Sequence, residues 1–91
     1  MNELLQEGDL IADGFNEAII GVGLFENGLR RVIYSANKCI EILMRDSIVD
    51  GEETLSEDDA YEYFEFNVSG SYVGEKTPIY IWENDTYINT N

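Results

Sequence analysis

Apolar and polar positions alternate along the chain in blocks that read as strands and helices. Residues 18–25 and 29–34 are apolar runs on either side of Glu26-Asn27-Gly28. Asn-Gly between such runs predicts a β-hairpin, because a type I′ turn needs positive φ at both central residues. A three-residue loop with Gly28 in a bulge is the competing register. We prefer the bulged form, which places Ile20, Val22, Leu24, Val32 and Tyr34 on one face with Arg30 toward its end. The two-residue form mixes Arg31 and Ser35 into that face, and a one-residue slip is costly where one face is buried. Gly21 and Gly23 then share the other face with Ile19, Arg31 and Ile33. Glycine there permits a close approach by a backbone or a ligand, and packing in the core is the expected use.

Two helical patterns follow. Ser35 is placed to cap residues 36–46, where Ala36, Cys39, Ile40, Leu43 and Met44 share one side and Lys38, Glu41 and Arg45 the other. Glu41 four residues before Arg45 is the favourable orientation for a helix ion pair. Ser56 followed by Asp59 has capping-box spacing, and Glu57, Asp58 and Asp59 set negative charge at the positive end of a helix dipole. At about 100° per residue, Ala60, Tyr63, Phe64, Asn67 and Val68 share one face and Asp58, Glu62 and Glu65 the opposite one. Tyr61 stands at the border and Phe66 falls on the acidic side. Gly70 is placed for a left-handed helix stop. After residues 71–76, Thr77-Pro78 leads into Ile79-Tyr80-Ile81-Trp82, an alternating β-branched and aromatic run that reads as a strand. Pro78 cannot donate to a ladder and so belongs at a strand start or an edge.

The order is β-β-α-α-β, an α+β domain with a small antiparallel sheet, the hairpin plus one C-terminal strand, packed against two helices. The domain is expected over residues 13–83. Residues 1–12 form an arm or short helix around Leu4, Leu5, Leu10 and Ile11, Asp13-Gly14 reads as a turn with Phe15 as an anchor, and residues 84–91 are a fraying polar tail.

Composition narrows the function classes. The 91 residues suit one domain with a modest core, and 44% apolar content is too high for a disordered chain. Net charge is −14, from 19 acids against 5 bases with no histidine. Phosphate contact would be repulsive, so direct binding to nucleic acid or an anionic membrane is not expected, and a basic protein is the natural partner. Cys39 is alone, so no internal disulfide framework is possible. No apolar run approaches the roughly 18 residues of a membrane span, and Glu3, Glu7 and Asp9 argue against a signal peptide. The chain reads as cytosolic.

The stretches Asp13-Gly14-Phe15-Asn16-Glu17-Ala18-Ile19-Ile20-Gly21-Val22, Val32-Ile33-Tyr34-Ser35, Asp59-Ala60, Glu62-Tyr63-Phe64-Glu65-Phe66-Asn67-Val68, Tyr72-Val73-Gly74-Glu75 and Thr77-Pro78-Ile79 carry a resemblance. Together they resemble a family of small acidic proteins of tailed bacteriophages. The resemblance implies a phage origin and work in the cytoplasm of an infected bacterial host. It carries over no activity and no functional residue.

Candidate chemistry is sparse. Residues 46–57 have the length of an EF-hand loop, with Asp46, Asp50, Gly51 and Glu57 at places one, five, six and twelve. Ile48 at place three cannot ligate, Glu53 stands where an apolar residue is usual, and Ser56 and Glu57 serve the next helix start. No metal site, cofactor or catalytic residue is expected. Without histidine, a usable thiol or a phosphate-cradling loop, an enzyme is not expected either. The sharper reading lies in the acidic face Asp58, Asp59, Glu62 and Glu65, flanked by Tyr61 and Phe66. Carboxylates at regular helical spacing imitate a phosphate row, and aromatics beside them supply interface anchors. The expectation is a non-catalytic binding protein that inhibits or modulates a basic host or phage protein, with DNA mimicry as one route. The alternative is a small accessory protein of particle assembly that forms a homo-oligomer through a sheet edge.

Overall fold

The computed structural model describes residues 4–46 and 55–83. Strand β1 (Ile19–Leu24) and strand β2 (Arg30–Ser35) pair antiparallel, followed by helix α1 (Ala36–Asp46), helix α2 (Glu57–Asn67) and strand β3 (Ile79–Ile81). Glu26–Gly28 forms a short 3-10 turn between β1 and β2, with Gly28 at φ +75°. Phe25 N–H donates to the Leu29 carbonyl at 2.8 Å, closing the three-residue loop. The bulged register therefore holds near the turn, where Val22 faces Val32 and Leu24 faces Arg30.

Farther from the turn the register shifts. A bulge between Ile19 and Gly21 pairs Ile19, not Ile20, with Tyr34. Ile20 is thereby turned out to solvent, and Ile19 packs against the core in its place. Leu24, also expected on the inner face, is 72% exposed at the hairpin tip, beyond the reach of the helices. The glycine face is not core either. A Cβ on Gly23 would stand 2.8 Å from the Phe25 ring, so this glycine makes room for Phe25 to fold back, while Gly21 meets open space.

The sheet is mixed, in the order β1-β2-β3, with β3 parallel to β2 rather than antiparallel. Alternation of Ile79, Tyr80 and Ile81 determines which side chains share a face but is blind to strand direction. Parallel pairing needs a long crossover, and the two helices with the loop after them provide it. Tyr34 and Tyr80 are direct partners in this pairing, and so are Ile33 and Ile79.

The core lies between the Val32–Tyr34 face of the sheet and the helices. Phe15, Ala18, Val32, Tyr34, Ala36, Cys39, Ile40, Ile42, Leu43, Ala60 and Phe64 are buried in one cluster. An aromatic chain crosses it. Tyr34 stacks on Tyr80 at 5.3 Å, Phe64 meets Tyr80 edge-on at 5.3 Å and Trp82 edge-on at 5.7 Å, and Trp82 stacks on Tyr61 at 5.4 Å. Offset and edge-on rings exceed simple area burial by about 0.5–1.5 kcal/mol per pair. Cys39 is fully buried, and desolvation pushes its thiol up to about 12, which leaves it inert.

Residues 4–15 form an irregular arm rather than a helix. It is tied down at several points. Arg30 Nε and Nη2 donate to the two Asp9 carboxylate oxygens at 3.0 and 2.9 Å. Lys76 Nζ donates to the Gly8 carbonyl at 2.8 Å, and Ala12 N–H donates to the Tyr34 hydroxyl at 2.6 Å. The Asp9 side chain is 3% exposed, and its hydrogen bonds from Arg30 hold the carboxyl at about 2, well below its usual range. The fraying tail expected over residues 84–91 lies outside the described residues, as does most of the loop 46–57 weighed as a calcium site.

Candidate functional site

Both helix starts are built as their sequences dictate. The Ser35 hydroxyl accepts from Lys38 N–H at 3.1 Å, and the Ser56 hydroxyl accepts from Asp59 N–H at 3.2 Å. Glu57, Asp58 and Asp59 occupy the first turn of α2, where exposed N–H groups favour negative charge. The far end differs from expectation. Gly70 does not adopt positive φ, and α2 is capped at Val68 in a right-handed conformation. Val68 N–H and Ser69 N–H both donate to the Phe64 carbonyl. Gly70 is needed for another reason: a Cβ there would stand 2.6 Å from the Glu65 carbonyl oxygen.

Ala60 and Phe64 are buried, and their burial fixes which face of α2 turns outward. Asp58, Asp59, Tyr61, Glu62, Glu65 and Phe66 consequently line one shallow depression on its outer surface. All six are exposed, Phe66 at 75%. The structure thus brings together the residues singled out in the sequence, with Tyr61 held by its stack on Trp82.

The charge balance around this surface is one-sided. The chain has five basic residues, and each is engaged away from α2. Arg30 binds Asp9, Lys38 binds Glu41, Arg45 binds Glu17 and Asp46, Arg31 donates to the Thr77 carbonyl, and Lys76 donates to the Gly8 carbonyl. The Glu41–Arg45 pair expected within α1 is not made, because Asp46 and Glu17 reach the guanidinium instead. Among the described residues, no acid of α2 has an ion-pair partner. No group of three or more acids, cysteines or histidines is arranged to hold a metal ion among the described residues, and no helix there is long and apolar enough to cross a membrane.

The sequence missed a second feature. Tyr63 and Asn67, expected on the core face of α2, are exposed. They form one wall of a groove of about 330 Å³, whose other walls come from Ile11–Phe15 of the arm, from Val73 and Pro78 of the following loop, and from Tyr80. The available signal was the apolar face of α2, which is wider than the two residues the core takes from it. No protein family, curated protein or solved structure matches the chain.

Proposed function

We propose that the protein is a non-catalytic acidic binding protein that docks the outer face of α2 into a basic region of a host or phage protein, and so inhibits or modulates it. The observation that carries this reading is the set of α2 acids without an ion pair among the described residues, beside exposed Tyr61 and Phe66. Self-repulsion makes such a surface costly in the free protein, and a basic partner removes that cost. Glu57 to Glu65 spans about 12 Å of helix axis at 1.5 Å per residue. Its carboxylates fall at roughly one per 2–3 Å of that axis, against about one per 1.7 Å in duplex DNA. A groove built for nucleic acid is therefore the partner surface that fits best, which makes the protein a DNA mimic. The resemblance to proteins of tailed bacteriophages favours a partner in the cytoplasm of an infected bacterium, among nucleic-acid-handling or defence proteins.

The test is affinity capture from infected and uninfected host lysate, followed by binding measurements on the partner with Asp58→Asn/Glu62→Gln/Glu65→Gln. Affinity should fall strongly and lose most of its salt dependence, while Phe66→Ala should cost affinity with little change in salt slope. Undiminished binding by the triple variant would end the mimic reading. A second reading, a homo-oligomer of particle assembly, is favoured by the edge strand β1, with its exposed Ile20 and Leu24 and the adjoining exposed Phe25. Light scattering separates the two, since a monomer at high concentration counts against assembly.

A further inference from the structure

We infer that the groove between the arm and the C-terminal half of α2 seats a large apolar side chain from a basic peptide segment, whose cationic residues lie along α2. The inference rests on the acidic-surface reading and adds an apolar subsite to it. A volume of about 330 Å³ stands at the bottom of the roughly 300–1,000 Å³ span of small-molecule sites. That suits one or two side chains better than a cofactor.

The lining is mostly carbon, and two of its polar side chains, Asn67 and Ser71, have partners of their own. Asn67 Nδ2 donates to the Tyr63 carbonyl at 3.3 Å, and Ser71 Oγ donates to the Asn67 carbonyl at 3.1 Å. Asp13 is the charged residue in the lining, and it has no ion-pair partner among the described residues. An anionic occupant is therefore disfavoured. At the rim Ile11, Tyr63 and Val73 remain 46%, 49% and 58% exposed, so an apolar occupant removes further apolar surface from water.

Tyr63 joins the two surfaces. It stands in the groove wall, one turn after Asp59 and next to Glu62 on the same helix. Residues i and i+4 are neighbours on a helix surface. A segment whose anchor enters the groove thus carries its flanking residues past Asp59 and Glu62, where lysine or arginine is favoured. Charge complementarity selects the basic segment, and the groove selects its anchor.

The test uses the full chain with three fluorescein-labelled peptides, read by anisotropy. One is lysine-rich with a central phenylalanine, the second has serine in its place, and the third is glutamate-rich with the phenylalanine kept. The first should bind about tenfold tighter than the second, the worth of one buried apolar side chain. The third should not bind. Ser71→Trp, a change at an exposed position that fills the groove, should reduce the phenylalanine peptide to the level of the serine peptide and leave the latter unaffected. Amide chemical-shift mapping of the parent chain gives an independent readout, expected at Tyr63, Asn67, Ser71 and Val73. Equal binding of the phenylalanine and serine peptides, or shifts confined to the acidic depression, overturns the groove. Equal binding of the glutamate-rich peptide overturns the basic occupant. If Asp58→Asn/Glu62→Gln/Glu65→Gln keeps full affinity and still discriminates phenylalanine from serine, the acidic-surface reading falls and the groove stands.

Discussion

The two helices have the same length, eleven residues each, and opposite physical characters. Helix α1 buries Ala36, Cys39, Ile40, Ile42 and Leu43, and its Lys38 and Arg45 neutralise acids nearby. Helix α2 buries Ala60 and Phe64, carries no base, and turns Tyr61, Tyr63 and Phe66 outward. A helix built for stability alone would resemble α1, since burial supplies most helical stability and opposite charges at close spacing add to it. Helix α2 instead hangs on one aromatic anchor and a serine cap, and it leaves apolar and acidic surface in water. That contrast is the physical ground for the proposal that α2 carries a binding surface.

The comparison can be broken most directly at Phe64. Replacing it with alanine should cost about 3–5 kcal/mol, as for other buried aromatics, because the ring bridges Tyr80 and Trp82. Urea denaturation followed by circular dichroism measures this. A loss below 1 kcal/mol would mean α2 is held by something other than its anchor. Gly70→Ala should come next, at about 1–3 kcal/mol, since the neighbour at 2.6 Å is a backbone carbonyl that cannot swing aside. A neutral or stabilising result would show that the end of α2 relaxes freely.

A smaller effect sharpens the contrast between paired and unpaired acids. The Asp9 carboxyl is held at about 2 by Arg30, so its folded value lies below its unfolded one. The stability it contributes is present above about pH 4 and is lost as pH falls toward 2. Asp9→Asn should therefore be less stable than the parent at pH 6 and should converge on it near pH 2. A gap that persists at the acid end would assign the loss to packing of the arm. The smallest change is expected from Asp58→Asn/Glu62→Gln/Glu65→Gln, within about 0.5 kcal/mol and in the stabilising direction. The parent should melt higher as salt screens repulsion over a Debye length of about 8–10 Å, and the triple variant should show less of this rise. A larger salt response in the variant would contradict unrelieved repulsion on α2.

What could be read without a structure was local. The three-residue loop before Leu29 follows from Asn27-Gly28 and the alternation around it, because positive φ at Gly28 is a property of one residue. The caps at Ser35 and Ser56 follow from a hydroxyl within reach of an N–H three residues on. The acidic face of α2 follows from helical spacing alone. Each of these signals acts across a few residues and needs no distant partner.

Tertiary structure decided the rest. The direction of β3, the bulge that exchanges Ile19 for Ile20, and the outward placement of Tyr63 and Asn67 depend on contacts between residues far apart in the chain. The missing α1 pair shows the same thing, since Arg45 turns to Glu17, 28 residues away. The groove forms only when the arm, docked through Asp9 and Ala12, comes to lie against α2 and the loop before β3. Periodicity reports which face of an element is apolar. How much of that face the core can cover is determined by the volume the other elements leave, and α2 has more apolar face than the core has room for.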